Sequence, residues 1–468
     1  MTDDLQQLTR EALNYLISVA GEVNVSTRGA DLDQHARDQS FHAAHLPAAV
    51  VWPGSAEEIS AVLSYANRHR IPVTAWGAGT SLEGNPIPVC GGIVLDMLRM
   101  NAIRAIRAAD FQVDVQAGIK YKDMNLALAR HGLFFAPDPG ANASLGGMIA
   151  NNAAGTRTPR YGATKDNVLR LEVVLASGEI IRAGSRSKKS ASGYDLVHLF
   201  VGSEGTLGVI TEATLRLAPL PDQFSAVIAS FATVDEAARA VSSILGSGLT
   251  PAALEFLDPV TVRTLNASGE FGLPERPTLL MEFHSAIEAG LKEELAVVEA
   301  LCAEEGCLAF QAGLGRSERD RLWRMRHETY EILVRHNPGR AFVIMDVAVP
   351  ISNYPRLVAV AQEAMAERKL NGYLVGHAGD GNLHPLIPYT PGDPESYALA
   401  LAADEVIVAA ALAFGGTATG EHGVGLGKRR FMAREHGDSL NVMRRIKTAL
   451  DPNGILNPGK IFEQDSAR

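Results

Sequence analysis

Two glycine-rich segments near the end of the chain carry three histidines and one glutamate. Residues 376–384 read Gly-His-Ala-Gly-Asp-Gly-Asn-Leu-His, and residues 420–423 read Gly-Glu-His-Gly. Imidazole nitrogens and carboxylate oxygens are ligands for divalent ions such as zinc or manganese. His377, His384, Glu421 and His422 are therefore candidate metal ligands. The alternative is a pair of glycine-rich turns whose histidines only bond the backbone.

A hairpin must bring the first two histidines together. Residues 379–382 are Gly, Asp, Gly and Asn, which are turn formers that disfavour a helix. We predict that His377 ends one strand and that His384 lies on the next, with the turn between them. Glu421 and His422 then arrive from another part of the chain.

The size and charge of the chain bound the class of protein. Its 468 residues predict two or three domains. The formal net charge of −10, without long runs of one sign, disfavours nucleic acid as a partner. The first residues lack the cationic and apolar regions of a signal peptide, and we expect no transmembrane segment. The longest apolar run, around residues 406–414, is interpreted as part of a buried helix.

The cysteine content limits the redox chemistry. Cys90, Cys302 and Cys307 form no CxxC pair, which excludes a disulfide framework and a structural zinc ribbon. Three cysteines also cannot hold a four-cysteine iron–sulfur cluster. If the protein carries out redox chemistry, its electrons must pass to an external acceptor.

The elements that position these residues follow from hydrophobic periodicity and turn formers. A buried strand over 48–52, a helix capped by Ser55 and Glu58, and a strand over 72–76 predict a β–α–β opening. Pro219 and Pro221 mark a boundary, after which we predict a mostly antiparallel sheet with helices. The other predicted elements are helices at 5–20, 234–246, 285–305, 355–369, 393–413 and 440–450, a hairpin over 169–182 turning at Ser177-Gly178, and strands at 278–283, 307–311 and 342–349. In the last of these helices Val442, Ile446 and Leu450 are in step and are expected to form its apolar side.

Three glycine-rich zones in the first half indicate close backbone approach to a ligand. The loop at 77–81, Gly-Ala-Gly-Thr-Ser, follows a predicted strand as a phosphate-binding loop does, with an ordinary tight turn as the alternative. It lacks the third glycine of a Rossmann fingerprint. Residues 420–428 are not a Walker loop, because Arg429 stands where Ser or Thr must follow the lysine. With the zones at 137–155 and 202–208, the pattern suits an extended pyrophosphate ligand such as FAD.

These motifs resemble those of a known family. Pro53-Gly54-Ser55 and the glycine-rich zones, in this order, are similar to the FAD-linked oxidoreductases of the vanillyl-alcohol oxidase type. The segments 376–382, 419–423 and 457–460 resemble the D-2-hydroxyacid dehydrogenase branch of that family. Segments 322–327 and 346–352 look most like its D-lactate dehydrogenase (cytochrome) group. The resemblance runs from about residue 40 to residue 462.

The resemblance implies an α+β protein. We expect a two-lobed, non-Rossmann FAD-binding domain of the PCMH type, an α+β substrate or cap domain on a largely antiparallel sheet, and a C-terminal helical segment. The expected divisions are an N-terminal helical segment over 1–40, the FAD-binding domain over 41–220, the cap over 221–418, and a segment over 419–468 that returns to the flavin.

The resemblance also implies roles for residues. His377, His384 and Glu421 hold a divalent metal (Zn or Mn), His422 is the catalytic base, and Arg326 binds the substrate carboxylate, a surface ion pair being the alternative for this arginine. The residues implied to contact FAD are Gly77, Ala78, Gly79, Thr80, Ser81, Asp138, Ser144, Gly147, Asn151, Gly155, Ile210 and Asn457.

Two departures from the family pattern refine the expectation. Residues 78–80 lack the histidine that carries covalent flavin in some relatives, so we expect non-covalent FAD. Val343-Ile344-Met345 stands where D-2-hydroxyglutarate dehydrogenases have a lysine, which points to a monocarboxylate substrate. A metal-bound 2-hydroxy acid would lose its hydroxyl proton to His422 and a hydride to the flavin.

Several interpretations stay open at this stage. The main one is oxidation of D-lactate or a similar small D-2-hydroxy acid, with electrons passed to a cytochrome, a quinone or an electron-transfer flavoprotein. Alternatives are a D-2-hydroxyglutarate dehydrogenase, the flavin subunit of a glycolate oxidase, and, from another class, a metal-dependent hydrolase. We expect a cytoplasmic protein, peripheral to the inner membrane through its acceptor, and a homodimer is one assembly left open.

Overall fold

The computed structural model describes residues 8–269 and 271–463. These residues form two compact units. The first unit takes the described residues up to Ala154, Ala163–Leu220, and the described residues from Glu421 onward. The second takes Gly155–Gly162 and Pro221–Gly420. The four-part division expected from the sequence stays a prediction.

The strands are two to nine residues long and lie in both units. In chain order they are β1 (Val25–Ser26), β2 (Ala49–Val51), β3 (Val73–Trp76), β4 (Ile93–Asp96), β5 (Ile103–Arg107), β6 (Gln112–Gln116), β7 (Leu133–Phe134), β8 (Val168–Val174), β9 (Ile180–Gly184), β10 (Val209–Arg216), β11 (Ala218–Pro219), β12 (Gln223–Phe231), β13 (Ala253–Leu257), β14 (Thr278–Ser285), β15 (Cys307–Leu314), β16 (Ala341–Ile344), β17 (Val347–Ala348), β18 (Tyr373–His377) and β19 (Asn382–Tyr389).

Helices lie between many of these strands along the chain. In chain order they are α1 (Arg10–Ala20), α2 (Gly29–Gln34), α3 (Ala56–His69), α4 (Tyr121–Ala129), α5 (Leu145–Asn151), α6 (Thr158–Tyr161), α7 (Leu196–Phe200), α8 (Val234–Gly246), α9 (Pro259–Ala267), α10 (Glu288–Glu304), α11 (Arg316–His336), α12 (Tyr354–Glu367), α13 (Pro394–Ala413), α14 (Met432–His436) and α15 (Ser439–Leu450). Short 3-10 turns occur at Glu22–Asn24, Met97–Arg99, Ala108–Asp110, Thr164–Asn167, Ile351–Asn353, Ala378–Asp380 and Arg429–Phe431.

The predicted β–α–β opening is confirmed. Strands β2 and β3 both pair in parallel with β4, and α3 connects them. Helix α3 begins where predicted, because the Ser55 side chain accepts a hydrogen bond from the backbone N–H of Glu58 (3.3 Å). The Glu58 carboxylate reaches the N–H of Gly54 (2.8 Å) instead of that of Ser55, so the predicted capping box is only half formed.

The first unit has a larger second sheet and the two-stranded pair of β7 and β11. The larger second sheet is antiparallel in the order β5-β6-β10-β8-β9, and its β8–β9 hairpin confirms the one predicted over 169–182. Both sheets contribute to one apolar core, with Val51 and Leu63 from the first lobe beside Val113 and Val173 from the second. Burial of these side chains from water is the main stabilising contribution to such a two-lobed unit.

The C-terminal residues fold into the first unit. Leu456 forms a parallel bridge with Val73 of β3 and is fully buried. Helix α15 matches the helix predicted at 440–450. Of the apolar residues predicted in step along it, Ile446 and Leu450 pack against the core of the first unit, whereas Val442 is 45% exposed. The buried residue of this helix is Leu440. The predicted N-terminal helix starts later than expected, at Arg10, with Thr9 as its cap, and residues 5–7 lie outside the described part of the chain.

The second unit is built on one antiparallel sheet. Its strand order is β15-β12-β14-β13-β18-β19-β16, and β17 also pairs with β19. This confirms the largely antiparallel sheet and places helices at nearly all the predicted positions. Helix α11 was missed. Its Trp323, Met325 and Leu333 pack with Val375 and Leu386 of the sheet in one apolar cluster.

One helix of the second unit is long and apolar enough to cross a membrane. Helix α13 has 20 residues and a mean hydropathy of 1.6. It is about twice as long as the apolar run at 406–414 that was recognised in the sequence. Ile407 and Val408 are buried in the fold, as is Asp404 near the middle of the helix. Length and composition alone are weak evidence for a span, because core helices of soluble proteins pass the same test. The expected absence of a transmembrane segment is not confirmed.

The turn between β18 and β19 depends on one glycine. Gly381 has φ of +69°, and a Cβ there would overlap the carbonyl oxygen of Val349. Gly392 also has a positive φ of +82°, but a Cβ there would meet nothing within 4 Å. Left-handed backbone costs an alanine about 1–2 kcal/mol. We expect Gly381→Ala to lower the urea midpoint of unfolding clearly more than Gly392→Ala. Equal midpoints in the two variants would contradict the close packing of this turn.

Candidate functional site

The strand register places His377 and His384 of the second unit on one face of the sheet. Val375 of β18 lies opposite His384 of β19, and His377 follows two positions along β18. Side chains alternate along a strand, so His377 and His384 point to the same side. Their ring centroids lie 5.2 Å apart at an interplanar angle of 82°. The predicted hairpin is confirmed, and it brings the two rings together.

Hydrogen bonds fix the same tautomer in both rings. Nδ1 of His377 lies 2.6 Å from Oε1 of Glu255, and Nδ1 of His384 lies 3.2 Å from the carbonyl oxygen of Met345. Carbonyl and carboxylate oxygens only accept, so each Nδ1 carries the proton. Each Nε2 then holds a lone pair, which is the form that binds a metal.

Two carboxylates flank the histidines across the sheet. The register of β16 and β17 with β19 puts Asp346 opposite His384, with Oδ1 of Asp346 3.8 Å from Nδ1 of the ring. Asp346 is fully buried and accepts hydrogen bonds from Asn382 Nδ2 (2.7 Å) and Thr419 Oγ1 (2.8 Å). We call Glu255, His377, His384 and Asp346 the sheet row.

Arg326 joins this row from helix α11. Its Nε donates to Oε2 of Glu255 at 2.6 Å, and its side chain is 18% exposed. Burial by itself raises the pKa of Glu255, but its electrostatic and hydrogen-bonding interactions with His377 and Arg326 outweigh burial and hold that pKa below its usual value. Arg326 is therefore part of a largely buried ion pair and does not form the surface pair considered as its alternative.

Glu255 and Asp346 were missed as site residues. Each is a lone carboxylate in an apolar stretch of sequence, as in Leu254-Glu255-Phe256 of β13. A buried carboxylate needs donors or a charged partner, so this pattern is a usable indication of a polar site. Asn382 was recognised as a turn former and as part of the 376–382 motif, but the hydrogen bond from its side chain to Asp346 was not predicted.

In the first unit, the predicted flavin residues of two segments pack tightly together. A Cβ on Gly77, just after β3, would overlap Oγ of Ser144, so only glycine fits there. The same Oγ caps helix α5 by accepting from the N–H of Gly147 (3.3 Å). At the end of α5, Nδ2 of Asn151 donates to the backbone carbonyl of His422 (3.2 Å). Predicted flavin ligands and the predicted base therefore meet in one unit.

Asn457 ties the C-terminal segment to two glycine-rich zones. Its Nδ2 donates to the carbonyl oxygens of Asn85 (2.9 Å) and Glu204 (2.7 Å). Asn85 in turn bonds the Ser81 side chain at the end of the 77–81 loop. Nζ of Lys460 donates to Oδ1 of Asn457 (3.1 Å). The predicted closure of the site by Asn457 is thus compatible with its position.

Glu204 holds the segment that carries His422. Its carboxylate accepts from the backbone N–H groups of Val424 (2.6 Å) and Gly425 (2.8 Å). Burial raises the pKa of Glu204, and these two hydrogen bonds oppose that rise. Glu204 lies within the 202–208 zone recognised in the sequence, but its anchoring role was not predicted.

The remaining predicted residues occupy varied places. Asp138 accepts from the Tyr121 hydroxyl (2.7 Å), and Ile210 lies in the apolar core of the first unit. Gly79 of the 77–81 loop has φ of +67°. Gly155 differs from the other predicted flavin residues because it belongs to the second unit. Glu421 directly follows Gly420, the last residue of the second unit, and its Oε1 lies 3.8 Å from Nε2 of His422.

His42 makes the first unit sensitive to acid. Burial, and then the charge of Arg429 and neighbouring cations, lowers the pKa of His42 from 6.5 to about 4. Between these values the unfolded chain binds the proton more strongly, so stability falls as pH drops from 6.5 towards 4. The shift corresponds to about 3 kcal/mol.

We expect the urea midpoint of unfolding to fall between pH 7 and about pH 4 in the wild-type protein, and to fall less in His42→Gln. His198→Gln, which changes a half-exposed histidine of the same unit, is the control. If the urea midpoint fell as much in His42→Gln as in the wild type, this role of His42 would be contradicted.

The residues present fit both cofactors that the sequence implies. For a divalent metal, two buried imidazoles offer Nε2 lone pairs on one face of a sheet. For FAD, Gly77 and Gly147 bring backbone against Ser144 without intervening side chains. Oγ of Ser203, which is 5% exposed, has no hydrogen-bond partner among the described residues and is available to a ligand.

Comparison with known proteins agrees with this architecture. A profile described as "FAD binding domain" matches residues 47–184, and one described as "FAD linked oxidases, C-terminal domain" matches residues 220–461. A fold neighbour of known structure, 4-ethylphenol oxidase from Gulosibacter chungangensis, has a TM-score of 0.79 at 18% identity and is matched over 99% of both chains. At that identity the likeness concerns the fold, which is that of the PCMH-type FAD-binding proteins.

Several curated relatives are similar over nearly the whole chain. "Probable D-lactate dehydrogenase, mitochondrial" from Danio rerio is 39% identical over 95% of this chain and 90% of its own length. "D-lactate dehydrogenase [cytochrome], mitochondrial" from Arabidopsis thaliana is 37% identical over 98% of this chain and 81% of its own length. "Glycolate oxidase subunit GlcD" from Bacillus subtilis is 35% identical, covering 98% of each chain. Together with its two-lobed unit and antiparallel second unit, these matches show that the chain belongs to the FAD-linked oxidases.

Proposed function

We propose that this protein oxidises D-lactate, or a similar small D-2-hydroxy acid, to the 2-oxo acid. FAD would supply the hydride acceptor, and the electrons would pass on to an external acceptor. The observation that carries the proposal is the pair His377 and His384, whose Nδ1 atoms are both held by acceptors. A flavoprotein that carries such a pair can bind the hydroxyl and carboxylate of a 2-hydroxy acid through a metal. Membership of the FAD-linked oxidases leaves the metal-dependent hydrolase without support.

The proposed metal ligands are His377, His384 and Glu421, for Zn or Mn. Glu421 is bonded to Gly420, and a Cβ on Gly420 would lie 2.9 Å from Oδ1 of Asp346 in the sheet row. The covalent link between Gly420 and Glu421 therefore supports Glu421 as the third ligand. When bound, the ion supplies Lewis-acid polarisation of the substrate hydroxyl, and the flavin supplies the hydride acceptor.

Arg326 and His422 are the proposed substrate-handling residues. The guanidinium of Arg326 uses Nε for Glu255, which leaves its terminal N–H groups for a substrate carboxylate. His422 takes the proton of the substrate hydroxyl as general base. Asn151 and Glu204 hold the backbone of the 422–425 segment and so fix where this imidazole lies.

The proposed contacts with FAD are those that the sequence motifs indicate. The 77–81 loop is proposed to bind the pyrophosphate, and the absence of histidine at 78–80 favours non-covalent FAD. The other proposed FAD-binding residues are Asp138, Ser144, Gly147, Asn151, Gly155, Ile210 and Asn457.

The substrate is proposed to carry a single carboxylate. Val343, Ile344 and Met345 offer no cation for a second one, and Met345 is fully buried beside the sheet row. D-2-hydroxyglutarate is therefore a weaker candidate. Glycolate is a stronger rival, because the Bacillus subtilis relative is named a glycolate oxidase subunit.

An anaerobic substrate panel tests the proposal. The purified flavoprotein is mixed with D-lactate, L-lactate, glycolate or D-2-hydroxyglutarate, and loss of oxidised-flavin absorbance is followed. We expect D-lactate to reduce the flavin fastest and L-lactate to be inert. Fastest reduction by D-2-hydroxyglutarate would show the monocarboxylate inference to be wrong, and fastest reduction by glycolate would favour the rival function. No reduction by any 2-hydroxy acid would refute the proposal.

The partners proposed beyond the substrate are an electron acceptor and a second copy of the chain. A cytochrome is one proposed acceptor, as in the name of the Arabidopsis thaliana relative, with a quinone or an electron-transfer flavoprotein as alternatives. Location in the cytoplasm, at the inner membrane through that acceptor, stays a prediction. The relatives from Danio rerio and Arabidopsis thaliana are named mitochondrial.

A further inference from the structure

We propose that Glu255 is a positioning residue that couples the metal ligand His377 to the substrate-binding Arg326. Loss of the Glu255 carboxylate is therefore expected to weaken both metal retention and substrate binding. This inference rests on the proposed function for the roles of His377 and Arg326. It goes beyond that function by assigning a task to a residue that is proposed neither as a metal ligand nor as a flavin contact.

The position of Glu255 follows from the strand register. Phe256 and Leu257 of β13 pair with Gly376 and Val375 of β18, which places Glu255 directly opposite His377. Cross-strand neighbours on one face lie close enough for their side chains to bond. Arg326 reaches the same carboxylate from helix α11, so three separate elements meet at Glu255.

Each oxygen of Glu255 has its own partner. Oε1 accepts from Nδ1 of His377 and Oε2 accepts from Nε of Arg326, both at 2.6 Å. A carboxylate bonded to the far nitrogen of an imidazole orients the ring and strengthens Nε2 as a ligand. The bond to Nε also fixes the plane of the guanidinium, which a two-point bond to a carboxylate requires. Glu255 is 1% exposed, so water cannot replace it easily in either bond.

Glutamine cannot serve both partners in their present form. If its amide oxygen accepts from His377, its NH2 group faces the Arg326 donor. If the oxygen accepts from Arg326, the NH2 group must donate to Nδ1 of His377, which moves the ring proton to Nε2 and removes the metal-binding lone pair. Glu255→Asp keeps two acceptor oxygens on a side chain that is one methylene shorter, so it tests only whether the carboxylate still reaches His377 and Arg326.

The same sheet offers a matched control in Glu282 of β14. It is also 1% exposed and bonds a histidine and an arginine, His284 and Arg319, the latter at 3.3 Å from Oε1. Both of these partners use the one oxygen Oε1, and His284 is not on the β18–β19 hairpin. Glu282→Gln therefore reports the cost of changing a buried, paired carboxylate without touching His377 or Arg326.

The experiment compares the wild-type flavoprotein with Glu255→Gln, Glu255→Asp and Glu282→Gln after loading with Zn²⁺ or Mn²⁺. Metal content is measured by mass spectrometry after gel filtration, metal loss is timed against a chelator, and kcat and KM for D-lactate are measured separately. In Glu255→Gln we expect metal affinity to fall about 10- to 100-fold and KM to rise. Glu255→Asp should recover part of both losses, and Glu282→Gln should keep wild-type metal retention and KM.

Three outcomes would overturn the inference. They are wild-type metal retention in Glu255→Gln, an equal loss of metal in Glu282→Gln, and a wild-type protein that retains neither ion. The metal measurements need no substrate, so they are independent of the proposed function. A wild-type flavin that D-lactate fails to reduce refutes that function, whatever the metal measurements show.

Discussion

Replacing His422 with alanine is expected to slow anaerobic flavin reduction by D-lactate by about 10²–10⁴-fold, the range for loss of a general base. The substrate hydroxyl then has no positioned group to take its proton before the C2 hydrogen leaves. FAD should stay bound, because Asn151 contacts the backbone carbonyl of His422, which alanine retains. The Glu204 bonds to Val424 and Gly425 also use backbone atoms only.

Stopped-flow measurement of flavin absorbance, with the FAD content determined in parallel, checks this expectation. His198→Ala, a change at a half-exposed histidine of the same unit, is the control and should reduce at the wild-type rate. Near wild-type reduction by His422→Ala would remove His422 as the base. Loss of FAD from the variant would assign the residue to cofactor binding instead.

Replacing His384 with alanine is expected to empty the metal site and to lower kcat by at least about 100-fold, since Lewis-acid stabilisation contributes several kcal/mol. The fold should survive, because Asp346 keeps its hydrogen bonds to Asn382 and Thr419. Metal content by mass spectrometry and the thermal unfolding midpoint separate these two effects.

A cysteine at the same position sharpens the test of His384. A thiolate is a good zinc ligand and a poor manganese ligand, so His384→Cys should regain zinc more readily than manganese. His131→Ala, at an exposed position of the first unit, is the control and should leave the metal content unchanged. An unchanged metal content in His384→Ala would contradict the ligand assignment.

Local patterns predicted the parts of the site that are built from neighbouring residues. The His377–His384 hairpin follows from the turn formers between its strands, and helix α3 follows from Ser55 and its apolar stripe. In each case the decisive interactions lie within a few residues. Such features can be read from one sequence, because local propensity and the final fold agree.

The parts that could not be predicted depend on distant partners. Glu255 reaches His377 across 122 residues of chain, so no local pattern connects them. Helix α11 was missed because its sequence is strongly charged and only its packing on the sheet shows which side is buried. The exposure of Val442 in α15 was not predicted for the same reason, since the packing of the first unit decides that Leu440 is buried and Val442 is exposed.

The interleaving of the two units along the chain has a consequence for biosynthesis. The chain leaves the first unit after Ala154 and again after Leu220, and it returns for good only at Glu421. The bridge between Val73 and Leu456 joins an early strand to nearly the last described residues. The first unit therefore cannot complete its core while the ribosome still holds the C-terminal segment. The second unit, which ends at Gly420, can finish earlier, so the order of folding during translation is expected to reverse the order of the sequence.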